Sequence, residues 1–388
     1  MPTSDDQYAM YLTVDLPDEA ATAAFAADLA VCLATGDVVA LSGGLGAGKT
    51  TLARGLLRAL ADDPNLEVPS PTFTLVQTYS THRLRVSHFD LYRLTGSDEL
   101  DEIGFGDAAA DGAVVVEWPE RAGDRLPPDT LTIALEIVDS GRRAVVTSRG
   151  HLASRLERSH RARTFLDRSG WPGAARRHLQ GDASTRTFEH IAVGTRRAVL
   201  MDWPPGSQLP AGDPRAPYRA RGAGAYVAVA GALRGAGISA PEIYAADPAA
   251  GFVVMEDLGT DGILVDGVPA ADRYSAVIDA LAAIHAVRRP DALPLPDGEM
   301  HRLPDLDRGA LIAEIGNYID AYVPGAIGRP LEEAARVEYF AIWSGLADRL
   351  TATVEKNWVL FDVQSPNLFW LPEREGIGRV GVVDFQDM

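Results

Sequence analysis

Apolar residues in the N-terminal part of the chain fall into short runs that alternate with segments of helical spacing. The run 37–42 predicts a buried strand, and the apolar spacing of 51–60 predicts a helix directly after it. Residues 68–79 are typical of a proline-bounded loop that enters an alternating strand. Residues 85–93 and the fully apolar run 113–119 predict two further strands. Strands and helices in this alternation predict an α/β domain with a parallel sheet.

A different series of patterns occupies the C-terminal half. Small and polar residues precede two strand-like segments at 187–191 and 197–202, which is how the glycine-rich hairpin of a kinase begins. An apolar strand at 251–259 turns into a loop, as at a hinge between two lobes, and 276–286 has helical spacing. A buried strand is predicted to end at Asp384. These patterns predict a two-lobed α+β domain of the kinase type.

A glycine-rich segment between the first predicted strand and helix matches the phosphate-loop pattern G-x-x-x-x-G-K-[ST]. It consists of Gly43, Gly44, Leu45, Gly46, Ala47, Gly48, Lys49, Thr50 and Thr51. Glycines allow successive backbone N–H groups to face the phosphates, and the N-terminus of the following helix adds positive potential. Lys49 is predicted to reach the terminal phosphates, and the Thr50 hydroxyl to bind Mg²⁺. The segment therefore predicts binding of a nucleoside triphosphate.

Lysine usage supports this interpretation. The chain has 36 basic residues, and Lys49 and Lys356 are its only lysines. A planar arginine guanidinium cannot replace a compact ammonium inside a phosphate loop. A lysine at this position, in a chain that otherwise uses arginine, therefore indicates that the loop requires an ammonium group.

Two acidic residues are predicted at the ends of strands. Asp90 ends one strand, and Glu117 ends the fully apolar strand that follows it in the series. Ligands of open parallel sheets bind at the carboxyl edge, so both carboxylates are candidates to lie near Mg²⁺ and the attacking water. Ser70 and Thr72 are candidates for a switch that faces the nucleotide. The alternative is that Asp90 and Glu117 are solvated acids that only end their strands.

Composition narrows the class of protein. A length of 388 residues indicates two or three domains, and a net charge of −18 argues against direct binding of nucleic acid. The chain has no apolar run long enough to span a membrane, and its N-terminus is polar and acidic. We therefore expect a cytoplasmic protein without a membrane partner. Cys32, the single cysteine, stands among apolar residues and is expected to fill core space.

An arginine-rich segment separates the two series of patterns. Residues 151–180 contain seven arginines and two acidic residues. We predict a P-loop domain over residues 1–150, an arginine-rich linker over 151–168 and a kinase-like domain over 169–388. The simpler interpretation of the linker is a helix with solvated charges, and the alternative is a docking surface for an acidic partner.

The N-terminal motifs resemble the TsaE family; they are LSGGLGAGKTTLARG, SPTFTLVQTY, HFDLYRL, ELDEIGF and VVVEWPER. The resemblance implies a small P-loop ATPase that supports the TsaB–TsaD complex in making N6-threonylcarbamoyladenosine, with tRNA reached through these partners. It implies that Lys49 holds the phosphates of ATP and that Asp90 assists hydrolysis. By the same resemblance, Thr50 and Glu117 hold Mg²⁺. Gly44 departs from the family, which commonly has Asp at that position.

The C-terminal motifs resemble the AmgK-like sugar 1-kinases of the aminoglycoside phosphotransferase superfamily; they are GDASTRTF, AVLMDWPP, MEDLG, SPNLFWLPEREG and VVDFQD. An Asp-x4-Asn spacing before a strand and a further Asp is typical of a kinase catalytic loop and its metal-binding aspartate. The resemblance implies that Asp362 accepts the proton of the sugar hydroxyl and that Asn367 and Asp384 hold Mg²⁺. Ser184 to Arg186 are implied to cover the phosphates. The implied acceptor is N-acetylmuramate or N-acetylglucosamine.

Several positions depart from the kinase pattern. Met201 occupies the position of the phosphate-binding lysine, the predicted helix 223–233 has no acidic residue, and Phe361 and Gln364 replace the usual basic residues of the catalytic loop. The superfamily continues with further helices, so we expect an incomplete C-terminal lobe in a chain that ends at Met388. Two hypotheses follow: a bifunctional ATPase and sugar kinase, or an ATPase fused to a degenerate interaction module. A small-molecule P-loop kinase is a third, although no arginine-rich lid is evident.

Overall fold

The computed structural model describes residues 9–179, 186–206, 219–220, 222–287, 290–295, 297–353 and 357–387. Contacts divide these residues into two compact units. The first unit holds the residues up to 179 together with 189–197, and the second holds 186–188 and the residues from 198 onward. No helix in this described part of the chain is long and apolar enough to cross a membrane.

The N-terminal part alternates strands and helices, as its apolar pattern predicts. The strands are β1 (Ala9–Leu16), β2 (Val38–Ser42), β3 (Val76–Ser80), β4 (Arg85–Asp90), β5 (Ala113–Glu117), β6 (Leu131–Val138), β7 (Gly141–Arg149), β8 (Ala175–Leu179) and β9 (Thr187–Val193). The helices are α1 (Glu19–Ala30), α2 (Lys49–Ala61), α3 (Glu99–Glu102), α4 (Phe105–Asp111) and α5 (Gly150–Arg168). The predicted strands 37–42, 85–93 and 113–119 correspond to β2, β4 and β5, and the predicted helix 51–60 lies within α2.

Strands β1 to β7 form one sheet with the order β1-β7-β6-β2-β5-β4-β3. Its centre is parallel, because β2 pairs in parallel with both β5 and β6, and β4 pairs in parallel with β5. Its flanks are antiparallel, because short turns reverse the chain between β6 and β7 and between β3 and β4. The edge strand β1 also pairs antiparallel with β7. The predicted α/β fold is confirmed, and the sheet is mixed rather than parallel throughout.

Both faces of the centre of this sheet are covered by apolar side chains. Val39 of β2 and Val115 of β5 pack into a core that they share with residues of α1 and α2. Val38 and Val114, which point to the opposite face, pack in a second core that contains Phe89. Strands buried on both faces have continuous apolar runs instead of alternating ones. This burial explains the runs in the sequence.

Cys32 lies in the core of the first unit and is almost inaccessible to solvent. Burial raises the pKa of its thiol to about 11, so little reactive thiolate is present at neutral pH. The prediction that Cys32 fills core space is confirmed.

The arginine-rich segment forms helix α5, whose Leu156 is buried in the core of the first unit. Two of its arginines make ion pairs with acidic residues of that unit. Arg155 Nη2 lies 2.5 Å from Asp37 Oδ2, and Arg163 Nη2 lies 2.6 Å from Asp28 Oδ1. The expected helix is confirmed. The expected solvation of its charges is wrong for Arg163, whose side chain is 14% exposed, whereas the Arg155 side chain is 37% exposed.

The C-terminal part contains small antiparallel sheets and longer helices. Its strands are β10 (Arg196–Asp202), β11 (Ile243–Asp247), β12 (Phe252–Met255), β13 (Leu264–Val265), β14 (Val268–Pro269), β15 (Ala292–Pro294), β16 (Met300–Arg302), β17 (Leu368–Trp370) and β18 (Val380–Val382). Its helices are α6 (Ala223–Gly235), α7 (Ala271–Ala286), α8 (Arg308–Asn317), α9 (Val323–Ile327) and α10 (Glu333–Thr353), with a π-helical turn at Tyr318–Tyr322. β12 pairs antiparallel with β10 and with β11, and β17 pairs antiparallel with β18. This arrangement is the predicted α+β class.

The strand predicted to end at Asp384 is shorter than the sequence indicates. β18 ends at Val382, and Asp384 lies two residues beyond it with φ of +59°. A left-handed backbone cannot continue a strand, and aspartate is one of the few residues that adopts it readily. Asp384 therefore stands in a turn directly after the strand.

Candidate functional sites

The phosphate loop connects β2 to α2. Gly43 has φ of +136°, and a Cβ at this position would lie 2.5 Å from the carbonyl oxygen of Leu135. Gly48, the residue before α2, has φ of +107°. Only glycine adopts such a backbone without strain, so both glycines are required for the shape of the loop. Because α2 begins at Lys49, the loop leads directly into a helix N-terminus, which favours an anion.

The Lys49 ammonium lies inside this loop. Its Nζ donates hydrogen bonds to the carbonyl oxygens of Gly43 and Gly44, at 2.7 and 3.0 Å. The ring centroid of Trp118 is 3.6 Å from the same Nζ. Burial lowers the pKa of Lys49, and Glu117 is the strongest of the acidic residues that oppose this shift. The one lysine of the first unit thus has its ammonium inside the loop that connects β2 to α2.

Each oxygen of the Glu117 carboxylate has a hydrogen-bond partner. The Thr50 hydroxyl, at the start of α2, donates to Oε2 at 2.9 Å, and Nε2 of His88 lies 3.0 Å from Oε1. Glu117 is 2% exposed, so the interpretation as a solvated strand-end acid is wrong. The arrangement places a hydroxyl and a carboxylate oxygen side by side next to the phosphate loop.

Asp90 lies at the same edge of the sheet, because parallel pairing of β4 and β5 sets it opposite Glu117. Its Oδ2 accepts hydrogen bonds from the hydroxyls of Ser70 and Thr72, at 2.6 and 2.7 Å. The backbone N–H of Tyr92 donates to Oδ1 at 3.0 Å. Asp90 is 3% exposed, so it is not a solvated acid either. The proposed switch residues Ser70 and Thr72 therefore bond directly to Asp90, one of the two strand-end carboxylates.

Two residues of this site were not identified from the sequence. His88 lies on β4 two positions before Asp90, and that spacing on a strand was a signal that the two share a face. Arg142 is the second residue of β7, and its Nε and Nη2 donate to the carbonyl oxygens of Ala47 and Gly46, at 3.1 and 3.2 Å. No pattern in the sequence connects Arg142 to the phosphate loop, because the contact spans almost a hundred residues.

The oxygen atoms at this edge of the sheet are suitable ligands for a magnesium ion. Mg²⁺ prefers hard oxygen ligands and is usually held by one or two protein groups together with substrate phosphates and water. The Thr50 hydroxyl and the Glu117 carboxylate are such groups, and Asp90 adds a second buried carboxylate. In the part of the chain that the structure describes, no three His, Cys, Asp or Glu side chains form a closed metal cage. These oxygen ligands therefore suit an ion that is coordinated partly by the protein and partly by the phosphates of a nucleotide.

A second cluster of polar groups lies in the second unit around Asp384. Arg186 Nη2 lies 2.5 Å from Asp384 Oδ1, and Arg186 Nη1 donates to Gln386 Oε1 at 2.8 Å. The Asp362 carboxyl interacts electrostatically with Asp384, and Asn367 Nδ2 donates to the Asp362 carbonyl oxygen at 3.0 Å. The structure therefore brings together four of the five kinase residues that the sequence indicated; the fifth, Ser184, lies outside the described residues.

The two carboxyl groups of this cluster have opposite pKa shifts. Burial raises the pKa of Asp362, and the neighbouring Asp384 charge raises it further. Burial also acts to raise the pKa of Asp384, but Arg186 and the hydrogen bonds of Gln386 outweigh it and lower that pKa. Of the pair, Asp384 is thus the carboxylate that stays ionised more readily and Asp362 the one that binds a proton more readily.

Comparison with known proteins identifies both parts of the chain. The family of threonylcarbamoyl adenosine biosynthesis proteins TsaE matches residues 16–145, and the phosphotransferase enzyme family matches residues 175–388. An N-acetylmuramate/N-acetylglucosamine kinase of Caulobacter vibrioides is 36% identical over 251 residues, which are 60% of this chain and 68% of that protein. The tRNA threonylcarbamoyladenosine biosynthesis protein TsaE of Rickettsia felis is 36% identical over 156 residues, which are 39% of this chain and 91% of that protein.

A crystal structure of YdiB from Bacillus subtilus, 30% identical, covers 40% of this chain and 95% of its own, with a TM-score of 0.32. The sequence families agree with the sites found in the two units. A phosphate loop with its strand-end acids lies in the part that matches TsaE, and the Asp362–Asp384 cluster lies in the part that matches the phosphotransferases. The chain therefore belongs to the TsaE family through its N-terminal part and to the phosphotransferase enzyme family through its C-terminal part.

Proposed function

We propose that the N-terminal domain, residues 1–150, is a Mg²⁺-dependent ATPase that acts with TsaB–TsaD in forming N6-threonylcarbamoyladenosine on tRNA. The observation that carries the proposal is the hydrogen bond from Thr50 to Glu117 beside the phosphate loop. Membership of the TsaE family supports the pathway, and the net charge of −18 favours contact with tRNA through partner proteins. Because ATP and the proposed partners TsaB–TsaD are found in the cytoplasm, we propose that this domain acts in the cytoplasm.

Each residue of the site has a distinct role in this proposal. The loop N–H groups and Lys49 bind the phosphates, and Lys49 neutralises charge that develops on the transferred phosphoryl group. Thr50 and Glu117 hold Mg²⁺, which supplies further charge neutralisation when bound. Asp90, oriented by the hydroxyls of Ser70 and Thr72, positions the attacking water. Trp118 covers the Lys49 ammonium and limits access of solvent to it.

We expect Lys49→Ala to abolish nucleotide binding and tRNA modification without unfolding the chain, because the ammonium is the main positive charge that the loop offers to phosphates. The measurement is the N6-threonylcarbamoyladenosine content of tRNA, by nucleoside mass spectrometry, in cells whose only source of TsaE is this chain. Lys356→Ala, at the other lysine of the sequence, is the matched control. The proposal fails if the parent chain does not restore the nucleoside or if Lys49→Ala does.

We also expect the isolated chain to hydrolyse ATP slowly. Arg142, the arginine that contacts the phosphate loop, donates to loop carbonyls and is therefore committed to the backbone. An arginine or an ordered switch supplied by a partner accelerates P-loop hydrolases by about 10³–10⁵-fold. Steady-state ATPase rates with and without TsaB–TsaD measure this stimulation. A chain that is already fast alone, and whose rate is indifferent to TsaB–TsaD, would contradict it.

For the C-terminal domain, residues 169–388, we propose phosphoryl transfer from ATP to a sugar of the N-acetylmuramate or N-acetylglucosamine class. Asp362 accepts the proton of the sugar hydroxyl, and Asn367 and Asp384 hold Mg²⁺. Arg186 and the preceding segment that contains Ser184 contact the phosphates of ATP. The support is the clustering of these groups around Asp384 together with the sugar kinase relative. The competing function, a non-catalytic interaction module, is favoured by Met201, which fills the position of the expected lysine and is fully buried.

A further inference from the structure

His88 is a fully buried histidine that contacts Glu117 from the neighbouring strand. It lies on β4 and is 0% exposed. Parallel pairing of β4 with β5 sets its backbone opposite Val115, two residues before Glu117. This register brings Nε2 within 3.0 Å of Glu117 Oε1. The imidazole is therefore placed by the pairing of β4 with β5 in the sheet.

The contact has a defined direction. A carboxylate that holds a metal ion is ionised and only accepts hydrogen bonds, so in the proposed magnesium site Nε2 carries the hydrogen. Glu117 Oε2 accepts from the Thr50 hydroxyl at 2.9 Å. Each carboxylate oxygen thus has its own donor: His88 bonds Oε1, and Oε2 is bonded by Thr50 at the end of the phosphate loop.

The second ring nitrogen of His88 argues against a role in packing alone. Nδ1 is buried, and no hydrogen-bond partner for it is found among the residues that the structure describes. A buried polar atom without a partner costs stability, and an apolar side chain of similar size would avoid that cost. A histidine at this position is therefore explained by what Nε2 does, which is to hold Glu117.

We propose that His88 is a positioning residue that fixes the Glu117 carboxylate for the magnesium site. This inference rests on the proposed ATPase function. A glutamate side chain has three rotatable bonds, and a donor on the oxygen that does not face the metal removes rotational freedom from the other oxygen. Loss of such outer hydrogen bonds typically costs 10–100-fold in metal affinity. The effect of His88 should therefore appear in the requirement for Mg²⁺ more than in stability.

The test compares two substitutions in the full chain. His88→Gln keeps an N–H donor at about the distance of Nε2, and His88→Leu fills a similar volume without one. All chains in the test also carry Asp384→Asn, which removes a proposed metal ligand of the second domain. The readout is equilibrium binding of a fluorescent ATP analogue, titrated with Mg²⁺, beside the thermal midpoint of each variant. We expect His88→Leu to raise the half-saturating Mg²⁺ concentration by about 10–100-fold. We expect His88→Gln to stay within a few-fold of the parent, and the effect of His88→Leu to vanish in a Glu117→Gln background.

Each outcome decides the matter. If His88→Leu needs no more Mg²⁺ than the parent, the positioning role is overturned while the ATPase proposal stands. If His88→Gln and His88→Leu are equally impaired and both melt at lower temperature, His88 is a packing residue and the inference is again wrong. If nucleotide binding by the parent does not depend on Mg²⁺ at all, the proposed magnesium site and this inference both fail.

Discussion

An Asp362→Asn chain is expected to lose formation of the phosphorylated sugar by about 10²–10⁴-fold, the contribution typical of a general base. Burial and the neighbouring Asp384 charge raise the pKa of Asp362, which favours uptake of a proton by its carboxylate. Asparagine keeps the size and the polarity of the side chain but cannot accept a proton. Binding of ATP and the fold of the domain should therefore be retained.

The measurement is direct detection of the phosphorylated N-acetylmuramate or N-acetylglucosamine in a Lys49→Ala background, since this background removes ADP that the first domain would release. Asp266→Asn, at an exposed turn between β13 and β14, is the matched control. An undiminished yield with Asp362→Asn would refute the base assignment. If the parent itself phosphorylates neither sugar, the C-terminal domain is the non-catalytic module instead.

Replacing Arg176 by Met is expected to lower the free energy of unfolding of the first unit by about 3–5 kcal/mol, the typical cost of removing one partner from a buried ion pair. Arg176 on β8 has a side chain that is 1% exposed. Its Nε and Nη2 donate to both carboxylate oxygens of Glu189 on β9, at 2.7 and 2.8 Å. Its Nη1 lies 3.1 Å from Asp28 on α1 and bonds Ser159 on α5. The substitution leaves the buried Glu189 carboxylate without its main donor.

Urea denaturation of the full chain, followed by a probe of the first unit, measures this loss. Arg177→Met is the matched control on the adjacent residue, because its pair with Asp62 is about half exposed and such pairs contribute about 0–1 kcal/mol. Replacing Arg176 and Glu189 together by Met should recover much of the stability, because Asp28 keeps Arg163 and no buried charge is then unpaired. Equal losses in Arg176→Met and Arg177→Met would contradict the burial argument.

This buried network also concerns the boundary between the domains. The phosphotransferase match begins at residue 175, yet contacts assign β8 and residues 189–197 to the first unit. Arg176, Glu189 and Asp28 explain this assignment, since their ion pairs join β8 and β9 to α1. In this chain, therefore, a segment that matches the phosphotransferase family can pack as part of the first compact unit.

The strand, glycine-rich loop and helix around Lys49 could be predicted closely because they are contiguous in the chain. The spacing of glycines, Lys49 and Thr50 is local, and the apolar runs on either side predict the strand and helix that shape the loop. Asp90 and Glu117 could be placed at one sheet edge because parallel strands bring their carboxyl ends together. In the kinase-like domain the spacing of Asp362 and Asn367 was equally local. The length of the strand before Asp384 was overestimated, because an apolar pattern does not reveal a left-handed turn.

The amino-acid sequence by itself determined the fold class, the phosphate loop and the order of the strand-end acids, because these depend on residues that are near one another or on the period of apolar positions. Only the tertiary structure decided which groups meet across the sheet. His88 lies 29 residues from Glu117, and Arg176 lies 148 residues from Asp28. The period of apolar residues predicts which face of a strand or helix is buried, but it does not predict which side chains of other elements contact that face. Those partners are set by strand order and helix packing, which arise only when the whole chain folds.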